Sequence, residues 1–183
     1  MNFEKTPIDG VFIATTSPFI DNRGAFARLF CENDLKPVIG KRHIVQINHS
    51  KTKTIGAVRG MHFQKPPFAE MKMIRCLKGK VFDVAVDLRA GSKTFLKHYA
   101  LELNPENSKM IIIPEGFAHG FQVLEEDSEL LYLHTEFYNK DYEDGLSYAD
   151  PLLNIKWPIP IKDLSDRDKN HQLITPSFTG IEI

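Results

Sequence analysis

Turn signals recur along the chain at short spacing, and they limit the length of any regular element between them. Three clear examples follow in chain order: Asp21-Asn22-Arg23-Gly24, Lys78-Gly79-Lys80 and Pro114-Glu115-Gly116. The segments between the turns are rich in β-branched and aromatic residues. The stretch from Val81 to Leu88 alternates most clearly, because Phe82, Val84, Val86 and Leu88 share one face of an extended strand. The pattern predicts many short β-strands.

Helical periodicity is weak by comparison. Only the stretch from Cys31 to Gly40 and a short piece around Ser165 are fair helix candidates. Many short strands at close spacing are typical of a β-sandwich or barrel, which also leaves few sheet edges free. The 183 residues contain no linker or low-complexity run. We therefore expect an all-β fold with a few short helices, in one domain spanning residues 1–183.

Composition and charge argue against several classes of partner. The 23 basic and 24 acidic residues give a net charge of −1, so nothing favours nucleic acid or an anionic membrane. No apolar run approaches the roughly 20 residues that a membrane span needs. The first residues, MNFEKTPIDG, lack the layout of a signal peptide, and Cys31 and Cys76 are expected to be free thiols. We expect a cytoplasmic protein that does not bind nucleic acid or membranes.

Polar residues stand on strands whose other face is apolar. Arg59, His62, Gln64 and Lys72 occupy such positions, and His119 lies between two glycines in the run GFAHGF. A single histidine on a strand is usually a satisfied core or rim residue, but two nearby cations favour a binding pocket. Cations that line a pocket indicate an anionic ligand such as a phosphate, to which a guanidinium donates two hydrogen bonds.

A metal-binding barrel is the main alternative for these residues. Metal cupins present two histidines one residue apart, whereas Phe63 and Gln64 follow His62 here. Glu70 could act as a ligand, but Lys72 lies two residues away and would repel a divalent cation. The sequence therefore predicts no metal.

Two tyrosines and one acid keep two interpretations open. Tyr132 and Tyr138 lie six residues apart, so they share a face on a regular strand. They either pack on the sheet or supply a phenol acid and an aromatic platform for a base. Asp168, taken alone, is typical of a solvated surface acid.

Taken together, the motifs resemble those of the dTDP-4-dehydrorhamnose 3,5-epimerases in order and spacing. The matching stretches are DNRGAF, QINHS, RGMHFQ-x5-EMK, GKVFDVAVDLR, IPEGFAHGF, LLY-x5-Y, ADPLLNIKWP and LSDRD. The match spans almost the whole chain. It implies a cupin-type jelly roll, a homodimer with strands shared between subunits, and chemistry without a metal or other cofactor.

The resemblance also implies a substrate and a mechanism. The substrate is a nucleotide-diphosphate 4-keto-6-deoxy sugar, epimerised through an enolate toward the L-rhamnose precursor used in polysaccharide biosynthesis. His62 is similar to the family's base, Asp168 to its carboxylate partner, Tyr132 to the acid on the opposite face, and Lys72 to the cation beside O4.

Further positions resemble the family's binding residues. Arg59 and His119 match sugar-diphosphate contacts, Arg23, Gln46 and Asn48 match nucleotide or sugar contacts, Tyr138 matches the platform under the base, and Glu143 and Arg167 match other binding positions.

The sequence departs from the family pattern on the nucleotide side. Arg28 replaces a glutamate, and Ile47 stands where many members have aspartate. Reading GAFARLF as one strand puts Arg28 on the face of Phe26, so we predict that Arg28 donates to the nucleotide. The alternative is an exposed Arg28 that pairs with an acid such as Glu32.

Two other functions remain open at the level of sequence. One is a sister enzyme that inverts a single carbon, C3 or C5, of a related nucleotide sugar. The other is a catalytically silent cupin that binds a sugar nucleotide or a metal. The joint presence of His62, Tyr132, Lys72 and Asp168 argues against the silent binder, since binding alone needs no proton donor.

Overall fold

The computed structural model describes residues 1–183 and contains thirteen strands and two helices. The strands are β1 (Asn2–Lys5), β2 (Phe12–Thr15), β3 (Phe19–Asp21), β4 (Gly24–Phe26), β5 (Gln46–Thr52), β6 (Val58–Gln64), β7 (Lys72–Lys78), β8 (Val81–Asp87), β9 (His98–Leu103), β10 (Lys109–Ile113), β11 (Phe117–Val123), β12 (Ser128–His134) and β13 (Glu143–Gly145). The helices are α1 (Glu32–Ile39) and α2 (Asp166–Lys169). The prediction of an all-β fold with a few short helices is confirmed.

The strands form two large sheets and one separate hairpin. A six-stranded sheet has the order β1-β2-β10-β7-β12-β5, a five-stranded sheet has the order β13-β6-β11-β8-β9, and β3 pairs with β4. The strand pairs in all three are antiparallel. A cluster of 15 buried apolar residues draws on both large sheets, with Ile74 and Ile111 from one and Ala85 and Phe121 from the other. The core therefore lies between two facing sheets, as in a β-sandwich.

The strand β8 is buried on both faces. Val81 and Ala85 belong to the core between the sheets, while Val84 and Val86 join a second cluster on the outer side. The C-terminal part of the chain covers that outer side, where the Trp157 ring packs edge-on against Phe82 with 6.2 Å between ring centroids. The alternation predicted from the sequence is present. The face of β8 that carries Phe82, Val84, Val86 and Leu88 packs against the C-terminal part of the chain.

Both predicted helices are present. In α1, Leu35 and Ile39 are fully buried against the outer face of the six-stranded sheet, and Gly40 ends the helix at φ 64°. In α2, the Ser165 hydroxyl accepts a hydrogen bond from the Asp168 N–H at 3.0 Å. Ser165 is thus an N-cap that fixes the first turn of α2. Neither helix is long and apolar enough to cross a membrane.

Candidate functional site

A cavity of about 670 Å³ opens between the two sheets. Eleven predicted site residues line it: Gln46, Asn48, Arg59, His62, Lys72, His119, Tyr132, Tyr138, Glu143, Arg167 and Asp168. Ten of them come from the two sheets or from α2. Tyr138 lies in the loop after β12, which ends at His134, so the prediction that Tyr132 and Tyr138 share a face of one strand is wrong. Arg23 and Arg28 do not line it.

His62 and Asp168 form a hydrogen-bonded pair although 106 residues separate them. His62 Nε2 lies 2.7 Å from Asp168 Oδ1, and the Gly60 N–H donates to Asp168 Oδ2 at 3.1 Å. Burial alone would raise the pKa of Asp168, but the hydrogen bond and charge of His62 and the Gly60 N–H lower it to about 2. Burial lowers the pKa of His62, and Asp168 offsets part of that effect. The pair therefore combines a neutral imidazole with an ionised carboxylate.

Arg167 joins this pair to the rim of the cavity. Its Nη2 lies 2.9 Å from His62 Nε2, and its Nη1 donates to Glu143 Oε2 at 2.7 Å. The Tyr138 hydroxyl donates to the same Glu143 oxygen at 2.9 Å. These contacts hold three polar side chains together at the mouth.

Tyr132 stands on the opposite sheet, with its ring edge-on to His119 and nearly parallel to His134. Its hydroxyl lies 3.2 Å from Ser50 Oγ. Burial raises the pKa of Tyr132 well above its usual value, so the phenol keeps its proton at neutral pH. The structure thus places a proton donor on the wall across from the neutral imidazole.

Lys72 belongs to a buried charged group that the sequence did not reveal. Its Nζ lies 3.2 Å from Glu70 Oε1, and Glu70 Oε2 lies 2.6 Å from His134 Nδ1. Burial would raise the pKa of Glu70, but the charges and hydrogen bonds of Lys72 and His134 keep it below its ordinary value. Glu70 is therefore an anionic partner of Lys72. His134 gave no sequence signal beyond its place on the strand of Tyr132.

Arg59 and His119 are also held by partners. Arg59 Nε donates to Thr52 Oγ1 at 2.9 Å, and His119 Nε2 lies 2.9 Å from Asp83 Oδ2. Asp83 is fully buried on β8 and was missed as a site residue, although an acid on the inner face of a strand is a usable signal. Both cavity side chains are thus oriented by groups behind them.

The two remaining predicted residues lie at the surface of the chain. Arg23 sits in the β3–β4 turn, where its side chain is 88% exposed and pairs with Asp21 at 2.6 Å. Arg28 Nη1 lies 3.3 Å from Asp34 Oδ2. The prediction that Arg28 continues the strand face of Phe26 is wrong, because β4 ends at Phe26. Within the chain, the structure shows the alternative, an exposed Arg28 that pairs with an acid, and that acid is Asp34 rather than Glu32.

One set of side chains approaches the arrangement of metal ligands. Donor atoms of His62, Asp168 and His171 lie within 4.8 Å of one another. The Arg167 guanidinium lies 2.9 Å from His62 Nε2 and 3.6 Å from Asp168 Oδ1. Because this permanent cation is already in contact with two of the three groups, they do not fit a divalent ion, and we assign no metal site.

Comparison with known proteins gives one consistent family. The family model for dTDP-4-dehydrorhamnose 3,5-epimerase matches residues 5–175. A curated dTDP-4-dehydrorhamnose 3,5-epimerase of Shigella flexneri is 44% identical over 173 residues, covering 94% of this chain and 95% of the relative.

Solved structures agree in fold. The dTDP-4-dehydrorhamnose 3,5-epimerase from Elizabethkingia anophelis NUHP1 superposes with a TM-score of 0.90 at 40% identity, covering 97% of this chain and 98% of that one. The dTDP-6-deoxy-D-glucose-3,5-epimerase from Legionella pneumophila Philadelphia 1 was solved with dTDP-4-keto-L-rhamnose. It superposes with a TM-score of 0.89 at 36% identity, covering 94% of this chain and 92% of that one. The fold is the cupin-like β-sandwich expected from the resemblance. The chain belongs to the dTDP-4-dehydrorhamnose 3,5-epimerase family.

Proposed function

We propose that this isomerase inverts C3 and C5 of dTDP-4-keto-6-deoxy-D-glucose to give dTDP-4-keto-L-rhamnose, without a metal or other cofactor. The observation that carries the proposal is the pairing of a neutral His62, backed by Asp168, with a protonated Tyr132 on the facing sheet of one cavity. A base and an acid on opposite walls are what inversion at carbon requires.

The C3 and C5 protons flank the C4 ketone, which acidifies them. His62 removes such a proton and becomes an imidazolium, which the Asp168 carboxylate stabilises as in a catalytic triad. The electron pair left on carbon passes into the ketone as an enolate. Tyr132 then delivers a proton to the other face of the same carbon, and inversion follows.

The enolate needs a positive group at O4. Lys72 supplies it, since an ammonium at a developing oxyanion acts with most effect in a site that excludes water. Glu70, 3.2 Å away, fixes the position of the ammonium. In this proposal the Lys72 ammonium, rather than a metal ion, stabilises the negative charge on O4.

The remaining cavity residues bind the nucleotide. Arg59 and His119 suit the diphosphate, because both present N–H donors toward the cavity from oriented positions. Gln46, Asn48 and Tyr138 also line the cavity and would contact the sugar and base, and Glu143 and Arg167 line it as further binding residues.

We also propose that the enzyme is a homodimer in which the β3–β4 hairpin contacts the second copy. In the single chain, Phe19, Ile20 and Phe26 are 69%, 72% and 78% exposed. Apolar side chains grouped on one hairpin mark an interaction surface. A hairpin seated on the partner would also carry Arg23 toward the partner's cavity.

We further propose a cytoplasmic location. Both cysteines are free, and Cys76 is buried. Burial raises its pKa to about 11, so it behaves as an inert thiol. Unpaired structural thiols suit a reducing compartment.

Deuterium wash-in tests the reaction directly. The enzyme is incubated with dTDP-4-keto-6-deoxy-D-glucose in heavy water, and the label is located by NMR. We expect deuterium at both C3 and C5. Label at C3 alone would identify a single-carbon epimerase, and a bound but unlabelled sugar would identify a silent binder.

A further inference from the structure

His171 lies beside the base but has no assigned role. Its ring packs edge-on against that of His62, with 5.6 Å between centroids. Its Nε2 is buried, makes no hydrogen bond and lies 3.6 Å from Asp168 Oδ1. The same oxygen binds His62 Nε2 at 2.7 Å. Two imidazoles are thus directed at one carboxylate oxygen, and only one of them is bonded to it.

The space for this second imidazole depends on Gly145. Gly145 pairs with His62 across β13 and β6. A Cβ atom at Gly145 would overlap the His171 ring at several atoms. The residue without a side chain therefore lets the ring reach Asp168.

The other charged groups nearby already have partners. On α2, Arg167 is a permanent cation bound to Glu143, and Lys169 pairs with Asp166. On β13, Asp144 pairs with Lys65. Lys72 lies near His62 but pairs with Glu70. Asp168 is therefore the carboxylate with which His171 can pair, at 3.6 Å from His171 Nε2 to Asp168 Oδ1.

We propose that His171 is a positioning residue that shares the Asp168 carboxylate with His62 and weakens the base when it is protonated. The inference rests on the proposed function. A neutral His171 leaves Oδ1 to His62. A protonated His171 forms a charge-assisted hydrogen bond to Oδ1, and its positive charge opposes the imidazolium that His62 must become. A change of charge at His171 is thereby transmitted to His62 through one shared carboxylate oxygen, and it acts against catalysis as the pH falls, because acid favours the protonated form of an imidazole.

Two substitutions separate the protonation states. His171→Gln keeps an amide N–H for Asp168 but stays neutral, and His171→Lys is charged throughout the pH range. We measure kcat/KM for dTDP-4-keto-6-deoxy-D-glucose from pH 8.5 to pH 5.5. The ratio of His171→Gln to wild type should rise by about 10-fold toward pH 5.5, the effect of one pKa unit on His62. His171→Lys should resemble acidified wild type already at pH 8.

His43→Gln is the matched control, because His43 is an exposed histidine that pairs with Glu32 away from the cavity. Its profile should follow wild type. Parallel profiles of wild type and His171→Gln, or equal profiles of the Gln and Lys variants, would overturn the inference while leaving the epimerase reaction in place. Wild type that does not turn over the sugar at pH 8 would instead overturn the proposed function and the inference with it.

Discussion

At the scale of single residues, one hydrogen bond decides what His62 can do. Burial disfavours the imidazolium, while the ionised Asp168 favours it. The imidazole therefore rests neutral and still gains a proton readily when the C–H bond breaks. His62 depends on Asp168 for its basicity, because a buried imidazole without the carboxylate would be a weaker base.

His62→Ala should lower kcat by at least about 10²-fold, the low end for loss of a general base. Affinity for dTDP should change little, because the proposed nucleotide contacts are made by other residues. Steady-state turnover and calorimetric titration with dTDP measure the two effects, and His43→Ala is the control. Deuterium exchange at the normal rate in the His62 variant would remove His62 from the mechanism.

The depressed pKa of Asp168 links the pair to stability. Its folded-state pKa of about 2 lies below the ordinary 3.8, so the ionised carboxylate stabilises the fold above about pH 4. That contribution is lost as pH falls from about 4 through 2. The free energy of unfolding of wild type should therefore converge on that of Asp168→Asn over this range. Asp166→Asn, at a side chain 97% exposed on the same helix, should leave the pH dependence unchanged.

Residue chemistry was only partly predictable from sequence. Asp168 read alone as a surface acid, because nothing local shows that α2 folds back onto β6. His171 and His134 carried no signal, since their roles depend on Gly145 and Glu70 meeting them in space. Arg28 was misplaced because the strand pattern of GAFARLF continues past Phe26 while the strand does not.

At the scale of elements, a single turn of helix positions the carboxylate. The Ser165 cap orders the first turn of α2, and the Asp168 N–H is the group that it binds. The four residues of α2 are too few for a stable helix by themselves, so the cap and the contact with His62 hold it.

Ser165→Ala should cost about 1 kcal/mol of stability, typical of a lost N-cap, and should lower kcat more than it changes KM. The reason is that Asp168 loses its fixed orientation while the nucleotide contacts remain. Ser165→Thr, which retains a capping hydroxyl, should restore both. Ser177→Ala, in the C-terminal loop, serves as the control in chemical denaturation and kinetics. An Ala variant with wild-type kcat would show that the cap is structural only.

The sequence predicted which segments form strands and helices, but it did not predict which residues pack against them. Period-two alternation gave β8, and turn residues gave its ends. The outer face of β8 could not be assigned to a partner from sequence, because the residues that cover it follow more than 60 positions later, around Trp157. Local patterns report which faces are apolar but not what lies against them.

At the scale of the whole molecule, the cavity gathers side chains from both sheets and from α2. The pattern of polar residues on strands predicted a pocket only for Arg59, His62, Lys72 and His119, and the family resemblance added the other residues. The β3–β4 hairpin exposes three large apolar side chains within one copy, Phe19, Ile20 and Phe26. Its exposed phenylalanines pair across the two strands, Phe19 with Phe26.

The double variant Phe19→Ser, Phe26→Ser should shift the protein from dimer toward monomer, because it removes the apolar contact surface. Light scattering coupled to gel filtration, over a range of concentrations, measures the mass. Leu152→Ser is the control, since Leu152 is an exposed apolar residue outside the hairpin. A dimer of unchanged affinity in the double variant would place the interface elsewhere on the chain.

Trp157 is the sole tryptophan, and its position determines what an optical probe can report. Its indole N–H donates to the Tyr148 carbonyl at 2.9 Å, its ring contacts Phe82, and it does not line the cavity. Intrinsic emission should therefore follow detachment of the C-terminal cover from β8 and stay nearly silent when a nucleotide binds. Asp168 follows Trp157 in the same C-terminal part of the chain, so we expect a red shift of emission to accompany loss of the His62–Asp168 pair while the two sheets remain packed.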